Sequence, residues 1–182
     1  MATAYDSITE AMTTFVERQH LFFVATAPSG DSGRVNLSPK GLDSFRILGP
    51  NRVAYLDLTG SGAETIAHVR QNGRITFMFC AFDGKPDIIR FYGVGEVHRA
   101  GEPTFDELAP MFGERVGVRS IITAGIDRSS SSCGFAVPLM EHVADRDTLT
   151  KWAANKSDTD LDAYWAKKNA TSIDGLPAVT SD

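Results

Sequence analysis

The sequence has little cysteine, no long apolar run and no excess of basic charge. Its 2 cysteines, Cys80 and Cys133, have the spacing of neither a zinc site nor a redox pair. No apolar run approaches the ~20 residues of a membrane-spanning helix, and the N-terminus lacks the features of a signal peptide. With a net charge of −5, the chain offers no basic face for nucleic acid. These absences argue against membrane and nucleic-acid partners and predict a cytoplasmic protein.

The histidines are equally uninformative about chemistry. All 4 stand singly, without the spacing shared by metal ligands or by nucleophile and base pairs. We therefore expect no metal and assign no catalytic side chain. A length of 182 residues with 42% hydrophobic content fits one globular domain, 1–182, with C-terminal helices and a tail from about residue 141.

Short runs rich in β-branched and aromatic residues indicate strands. Six such runs are found, at 21–27, 34–38, 52–58, 74–82, 88–97 and 119–126. Glycine, proline and aspartate punctuate the breaks between them, and most breaks are short enough for hairpins. The pattern predicts a mainly β fold with flanking helices (α+β), in which six antiparallel strands form a barrel or sandwich.

Two neighbouring segments predict an anion site. One strand ends in Ser38-Pro39-Lys40-Gly41, and another leads into Thr59-Gly60-Ser61-Gly62. Ser61 stands three residues before Glu64, the spacing of a capping box, so we expect a short helix over Glu64–Asn72 that Gly73 stops. Free N–H groups and the positive end of a helix dipole suit a phosphate, and Lys40 could add charge. The alternative is an ordinary capped helix beside a solvated lysine.

These segments also carry a family likeness. Val35-Asn36-Leu37-Ser38-Pro39-Lys40-Gly41, the strand 52–58 and the segments 59–69 and 72–74 resemble the pyridoxamine 5′-phosphate oxidase-like family of FMN-binding split β-barrels. The likeness covers about residues 7–140. It implies a split barrel, a homodimer with FMN between its subunits, and a small-molecule substrate. Lys40 would lie against the flavin. The cofactor-binding residues that the resemblance implies are Ser38, Lys40, Leu58, Thr59, Ser61, Gly62, Thr65 and Arg74.

The sequence departs from the vitamin B6 oxidase proper at three places. Ala63-Glu64-Thr65 stands where the oxidase has a Ser-Arg-Lys run, Ile88 stands where it has a glutamine, and the segment 172–177 lacks its C-terminal arginine. These groups serve the phosphate and the phosphorylated substrate. The resemblance therefore implies an FMN-dependent oxidoreductase acting on another small molecule.

Three alternatives remain open. A deazaflavin coenzyme has a long acidic tail that would need basic residues, for which Lys40, Arg70, Arg74 and Arg90 are candidates. A non-catalytic protein that binds a flavin or a haem is a second alternative. General acid–base catalysis by Asp57 or Glu64 is the least favoured, because a lone carboxylate near a loop is usually solvated.

Overall fold

The structure, a computed structural model, describes residues 2–179. Its strands are β1 (Thr3–Tyr5), β2 (Phe22–Thr26), β3 (Asn36–Lys40), β4 (Phe45–Gly49), β5 (Arg52–Leu58), β6 (Arg74–Cys80), β7 (Asp87–His98) and β8 (Val118–Cys133). Its helices are α1 (Glu10–Val16), α2 (Glu64–Asn72), α3 (Pro103–Leu108), α4 (Thr148–Ala154) and α5 (Asp158–Lys168), with a 3₁₀ turn at Ala109–Phe112. None of the helices within residues 2–179 has both the length and the hydropathy to cross a membrane.

The strands form one antiparallel sheet that curls on itself. Its order is β3-β2-β6-β7-β8-β5-β4, and β1 pairs with β8 outside this path. Phe45 of β4 lies at one end of the path, yet its ring is 5.0 Å from Phe22 of β2 and 5.3 Å from Phe77 of β6. The two ends of the sheet therefore approach each other through side chains rather than through hydrogen bonds, which confirms the predicted fold class of a split, mainly antiparallel β structure with flanking helices.

The described residues form eight strands where the sequence predicted six. The two that were missed, β1 and β4, are only 3 and 5 residues long. β8 also runs further than expected, because the serine run belongs to it: Ser130 pairs with Arg90 on one side and with Ala4 on the other. Pairing along both edges, rather than strand propensity, holds this polar run extended.

Helix α2 lies against the sheet and ends as predicted. Gly73 follows it with a φ of 73°, the left-handed conformation that suits glycine at a helix end. The helix also buries an apolar face, because Ile66, Ala67 and Val69 all lie in the main core. Packing therefore stabilises α2, in addition to any ligand it holds.

The C-terminal segment folds back on the body of the protein. Ala178 and Val179 are buried in the main core, and their N–H groups bind the carbonyls of Ala170 and Asn169. The tail therefore packs against the body of the protein up to Val179. Its return places residues 169–174 beside the start of α2.

Candidate functional site

One face of β3 turns two of the predicted residues inward. Asn36, Ser38 and Lys40 are partly buried, whereas Leu37 between them is 62% exposed. Side chains alternate across a strand, so the three inward residues share a face. The structure therefore brings Ser38 and Lys40 to one surface.

Lys40 is held by its neighbours rather than solvated. Its Nζ lies 3.4 Å from the Oδ1 of Asp57 and 5.7 Å from the centre of the Tyr55 ring. The Lys40 side chain is 22% exposed and the Asp57 side chain is fully buried. A cation this close to a buried carboxylate and an aromatic face is fixed in position, with one side still open to solvent.

Asp57 is also bound by a second cation. Arg119 Nε donates to its Oδ2 at 2.8 Å, and Ser120 Oγ donates to the same oxygen at 3.3 Å. Burial raises the pKa of Asp57, but the charges of Arg119 and Lys40 outweigh this effect and lower the pKa below its usual value. For Arg119, burial lowers the pKa, but the Asp57 carboxylate raises it by more. The net effect is a raised pKa, which keeps the guanidinium charged. Two cations around one carboxylate leave this cluster with one net positive charge.

The cluster reaches the loop before α2. Arg119 Nη1 donates to the carbonyl oxygen of Gly62 at 2.8 Å. Gly62 stands two residues before the first residue of the helix. The positive cluster and the start of α2 are therefore parts of one site.

A second set of contacts comes from the C-terminal helix. Thr59 Oγ1 donates to the Gly117 carbonyl at 2.8 Å and accepts from Trp165 Nε1 at 2.9 Å. Asn169 Nδ2 donates to the carbonyls of Gly60 and Ser61, at 3.0 and 3.3 Å. The Thr59 hydroxyl is thus engaged within the protein, while the Ser61 side chain is exposed.

The predicted capping box at the start of α2 is wrong. Ala63 is the N-cap residue, and Ser61 makes no capping hydrogen bond. The Glu64 carboxylate instead accepts from the backbone N–H of Ile173 at 3.2 Å. Because alanine cannot cap, no N-cap side chain binds the first N–H groups of the helix, and these groups suit an anion.

Thr65 belongs to a buried polar network behind the site. Asn36 Nδ2 donates to Thr65 Oγ1 at 3.0 Å and to Thr26 Oγ1 at 3.2 Å, and Ser38 Oγ donates to Asn36 Oδ1 at 2.9 Å. Thr26 Oγ1 lies 3.0 Å from His68 Nδ1. The network ties the first turn of α2 to the inward face of β3.

Two buried polar atoms beside this network have no hydrogen-bond partner among residues 2–179, the Tyr55 hydroxyl and His68 Nε2. Burial raises the pKa of Tyr55 well above its ordinary value, and the negative charge of Asp57 raises it further. The positive charge of Arg119 and the neighbouring Thr65 side chain act in the opposite direction and are outweighed. Burial lowers the pKa of His68, against the smaller opposing effects of Glu64 and Asp174, so its ring is neutral near pH 7.

Two predicted residues lie outside this arrangement. Leu58 ends β5 opposite Val118 and packs against the smaller apolar cluster. Arg74 begins β6, where its guanidinium donates to the Pro28 carbonyl at 3.0 Å. Ile75, the residue after Arg74, pairs with Thr26 at one end of β2, whereas Lys40 pairs with Phe22 at the other end. Arg74 is therefore separated from Lys40 by most of the strand length.

The basic residues considered for a deazaflavin tail are likewise dispersed. Arg70 donates to the carbonyl of Ala178. Arg90, in β7, donates to Ser132 Oγ in the neighbouring strand β8. With Arg74 at the opposite strand end, these side chains form no common surface with Lys40.

Sequence reasoning missed Asn36, Tyr55, Arg119 and Asn169 as members of the site. The available signal was a charge within an apolar strand: Asp57 in RVAYLDL and Arg119 in VRSIITA. Charged residues are rarely buried without a partner, so one such residue in each of two strands indicates that the strands are neighbours. For Tyr55, Asn36 and Asn169 we find no sequence signal.

Comparison with known proteins agrees with the fold and places the chain in a family. The family model for pyridoxamine 5′-phosphate oxidase matches residues 8–133. A relative from Aspergillus flavus, the pyridoxamine 5′-phosphate oxidase family protein ustO, is 38% identical over 201 residues, which cover 100% of this chain and 79% of the relative.

Solved structures support the same fold. HupZ from Group A Streptococcus matches with a TM-score of 0.55 and 23% identity, over 67% of this chain and 91% of HupZ. A protein of Lactobacillus delbrueckii assigned as a pyridoxamine 5′-phosphate oxidase matches with a TM-score of 0.54 and 18% identity, over 69% of this chain and 94% of that one. The family model and the Aspergillus relative confirm the resemblance read from the sequence: this chain belongs to the pyridoxamine 5′-phosphate oxidase family.

Proposed function

We propose that this protein is a flavoprotein that binds FMN, with the phosphate at the loop 59–65 and the start of α2. The observation that carries the proposal is the net positive cluster of Lys40, Asp57 and Arg119, joined through Gly62 to the uncapped start of that helix. A positive charge beside free helix N–H groups is a suitable setting for a phosphate. Membership of the family supports a flavin as the molecule that carries it.

The hydrogen-bond donors around the loop 59–65 fit a phosphate group. Lys40 offers an ammonium that is partly open to solvent, and the first turn of α2 offers backbone N–H groups. Thr65, buried behind the site, accepts from Asn36 and so ties the first turn of α2 to β3. The Glu64 carboxylate accepts from the N–H of Ile173 through Oε1, but its Oε2 lies over Gly62, so this oxygen must turn away for a phosphate to bind there. Arg119 adds charge from behind the loop, where the oxidase has basic residues on the helix itself.

We further propose that the protein is an oxidoreductase acting on a small molecule other than the B6 vitamer. When bound, FMN would supply transfer of electrons to or from that substrate. The protein would orient the cofactor and stabilise negative charge beside it through Lys40. Ile88 and the C-terminal segment offer no group for a phosphorylated substrate, and Asp174 in that segment pairs with Arg34.

A homodimer with shared sites is part of the proposal. Leu37 exposes 62% of its surface on the outer face of the edge strand β3, opposite the face that carries Lys40, and Val35, directly before the strand, exposes 75%. Exposed apolar side chains on a sheet edge suit burial against a second copy. Light scattering at micromolar concentration should give twice the chain mass, and a single-chain mass would contradict the shared site. The expected cytoplasmic location stays a prediction.

The absorption spectrum and a titration test the cofactor. We expect flavin bands in the purified protein, or quenching of FMN fluorescence when the apo-protein is titrated into FMN. Replacing Lys40 by Glu should weaken FMN binding, whereas Lys85→Glu, at an exposed lysine on the β6–β7 turn, should leave it unchanged. Failure of the wild-type protein to bind FMN would overturn the proposal, and a deazaflavin or haem band would support the corresponding alternative.

A further inference from the structure

The backbone orientation of the loop before α2 is fixed by one buried amide. Asn169, which follows α5, is fully buried, and its Nδ2 binds the carbonyls of Gly60 and Ser61. Both partners can only accept, so only the NH₂ side of the amide satisfies them. Asn169 Oδ1 is buried without a partner among residues 2–179. The side chain is therefore committed to the two carbonyls.

This commitment determines where the loop N–H groups point. In a trans peptide unit, the C=O of one residue and the N–H of the next point in opposite directions. Cis peptide bonds are absent from residues 2–179. Because the carbonyls of Gly60 and Ser61 point to Asn169, the N–H groups of Ser61 and Gly62 point away from it. The Gly62 carbonyl is similarly turned towards Arg119.

We propose that Asn169 is a positioning residue for the phosphate of the bound cofactor. It turns two successive loop carbonyls inward and so presents the following N–H groups to the phosphate. The inference rests on the proposed function, because it assumes that the anion at this loop is the FMN phosphate. Asn169 acts through the loop and contacts no cofactor atom itself.

Trp165 supports the same loop from one helical turn earlier. Its Nε1 donates to Thr59 Oγ1 at 2.9 Å, and residues four apart on a helix lie on one face. Trp165 therefore fixes the position of the loop, whereas Asn169 fixes the direction of its peptide groups. Only the role of Asn169 requires a side-chain donor that binds the loop carbonyls.

The sharpest variant is Asn169→Asp, which keeps the shape and replaces the donor by an acceptor. A carboxylate there repels the two carbonyls and attracts N–H groups, so the peptide units turn and present their carbonyls to the phosphate. Asn169→Ser, which is smaller and can still donate to one carbonyl, is the second variant. Asn155→Asp is the matched control, because that exposed amide binds only the carbonyl of Lys151, away from the loop.

The measurement compares FMN with riboflavin, which has the same ring system and no phosphate. Each ligand is titrated into the full-length apo-protein of the wild type and the variants, and thermal unfolding of each apo-protein is recorded. We expect Asn169→Asp to weaken FMN at least about tenfold while riboflavin changes less than about twofold. Asn169→Ser should show the same selectivity with a smaller loss, and Asn155→Asp should match the wild type.

Equal losses for FMN and riboflavin, or no loss for either, would overturn the role of Asn169 and leave the proposed function standing. If Asn169→Asp does not fold, the selectivity of Asn169→Ser decides in the same way. A wild-type protein that binds neither ligand would overturn the proposed function and this inference with it.

Discussion

The carboxylate of Asp57, fully buried in β5, accepts a 2.8 Å hydrogen bond from the Nε of Arg119 in β8. The contact joins two charges within the sheet, and Lys40 adds a third from β3. A cluster of this kind is retained at a cost in desolvation, which suits a site that must present charge to a ligand. It also makes the stability of the fold depend on each member.

Replacing Asp57 by Asn should destabilise the protein strongly. The change leaves Arg119 and Lys40 without their counter-charge, and removing one partner of a buried ion pair costs about 3–5 kcal/mol. Chemical denaturation measures this loss of unfolding free energy. Asp43→Asn is the control, because the Asp43 side chain is 72% exposed and its pair with Arg46 should contribute ~0–1 kcal/mol. Equal, small effects for both variants would show that the buried cluster contributes no special stability.

Asp57 should also set the stability in acid. Its folded pKa is lowered, so its contribution is present above the unfolded pKa, about 3.9, and is lost as the pH falls through the folded pKa. The unfolding free energy of the wild type should therefore fall on acidification below about pH 4. Asp57→Asn should have a flatter pH dependence in this range, which denaturation at a series of pH values would reveal. If the unfolding free energies of the two proteins depend on pH with the same slope, other carboxylates determine the loss of stability in acid.

A second pH effect should come from His68. Burial lowers its folded pKa, so the unfolded state takes up its proton first, and stability is lost as the pH falls from the unfolded pKa of about 6.5 through the lower folded value. Glutamine does not titrate, so His68→Gln should remove this part of the pH dependence of the unfolding free energy. His142→Gln, at an exposed histidine, should retain it. The same denaturation series, extended to pH 7.5, compares the three proteins.

Lys40→Met should make the bound flavin harder to reduce. The ammonium stabilises negative charge beside the cofactor, and its loss leaves the Asp57 and Arg119 pair with no net charge. We expect the two-electron midpoint potential to fall by roughly 30 mV or more, equivalent to about a tenfold change in the equilibrium. Reduction titrations of the wild type, Lys40→Met and the surface control Lys85→Met measure the potential. An unchanged potential would place Lys40 away from the ring.

Ser61 and Thr59 should respond differently to loss of their hydroxyls. The Ser61 side chain is exposed at the proposed phosphate site, so Ser61→Ala should weaken FMN by about 1.5–3 kcal/mol with little change in stability. Thr59→Val removes the hydroxyl that binds Gly117 and Trp165, and should lower the unfolding free energy by ~1–3 kcal/mol. FMN titration and denaturation of both variants separate the two roles. Unchanged FMN affinity in Ser61→Ala would move the phosphate elsewhere.

Much of the fold could be read from local pattern. The runs that became β2, β5, β6 and β7 are dense in β-branched and aromatic residues, and Gly73 provides the left-handed residue that ends α2. β1 was missed because 3 residues are too few to show a period, and β4 was missed because its sequence, FRILG, contains a single β-branched residue. The helix begins at Glu64 as predicted, but the capping box failed because Ala63, and not Ser61, is the N-cap residue.

The sequence by itself determined where most strands and helix α2 lie, that Lys40 stands at the end of β3, and that the chain belongs to the family. These features depend on residues close together along the chain. Only the tertiary structure decided the site. Arg119 is 62 residues from Asp57, and Asn169 is 109 residues from Gly60. Such contacts require β5 to pair with β8 and the C-terminal segment to return over α2. The pairing of strands and the burial of distant segments are settled by packing of the whole chain, so no local pattern specifies which buried charge meets which.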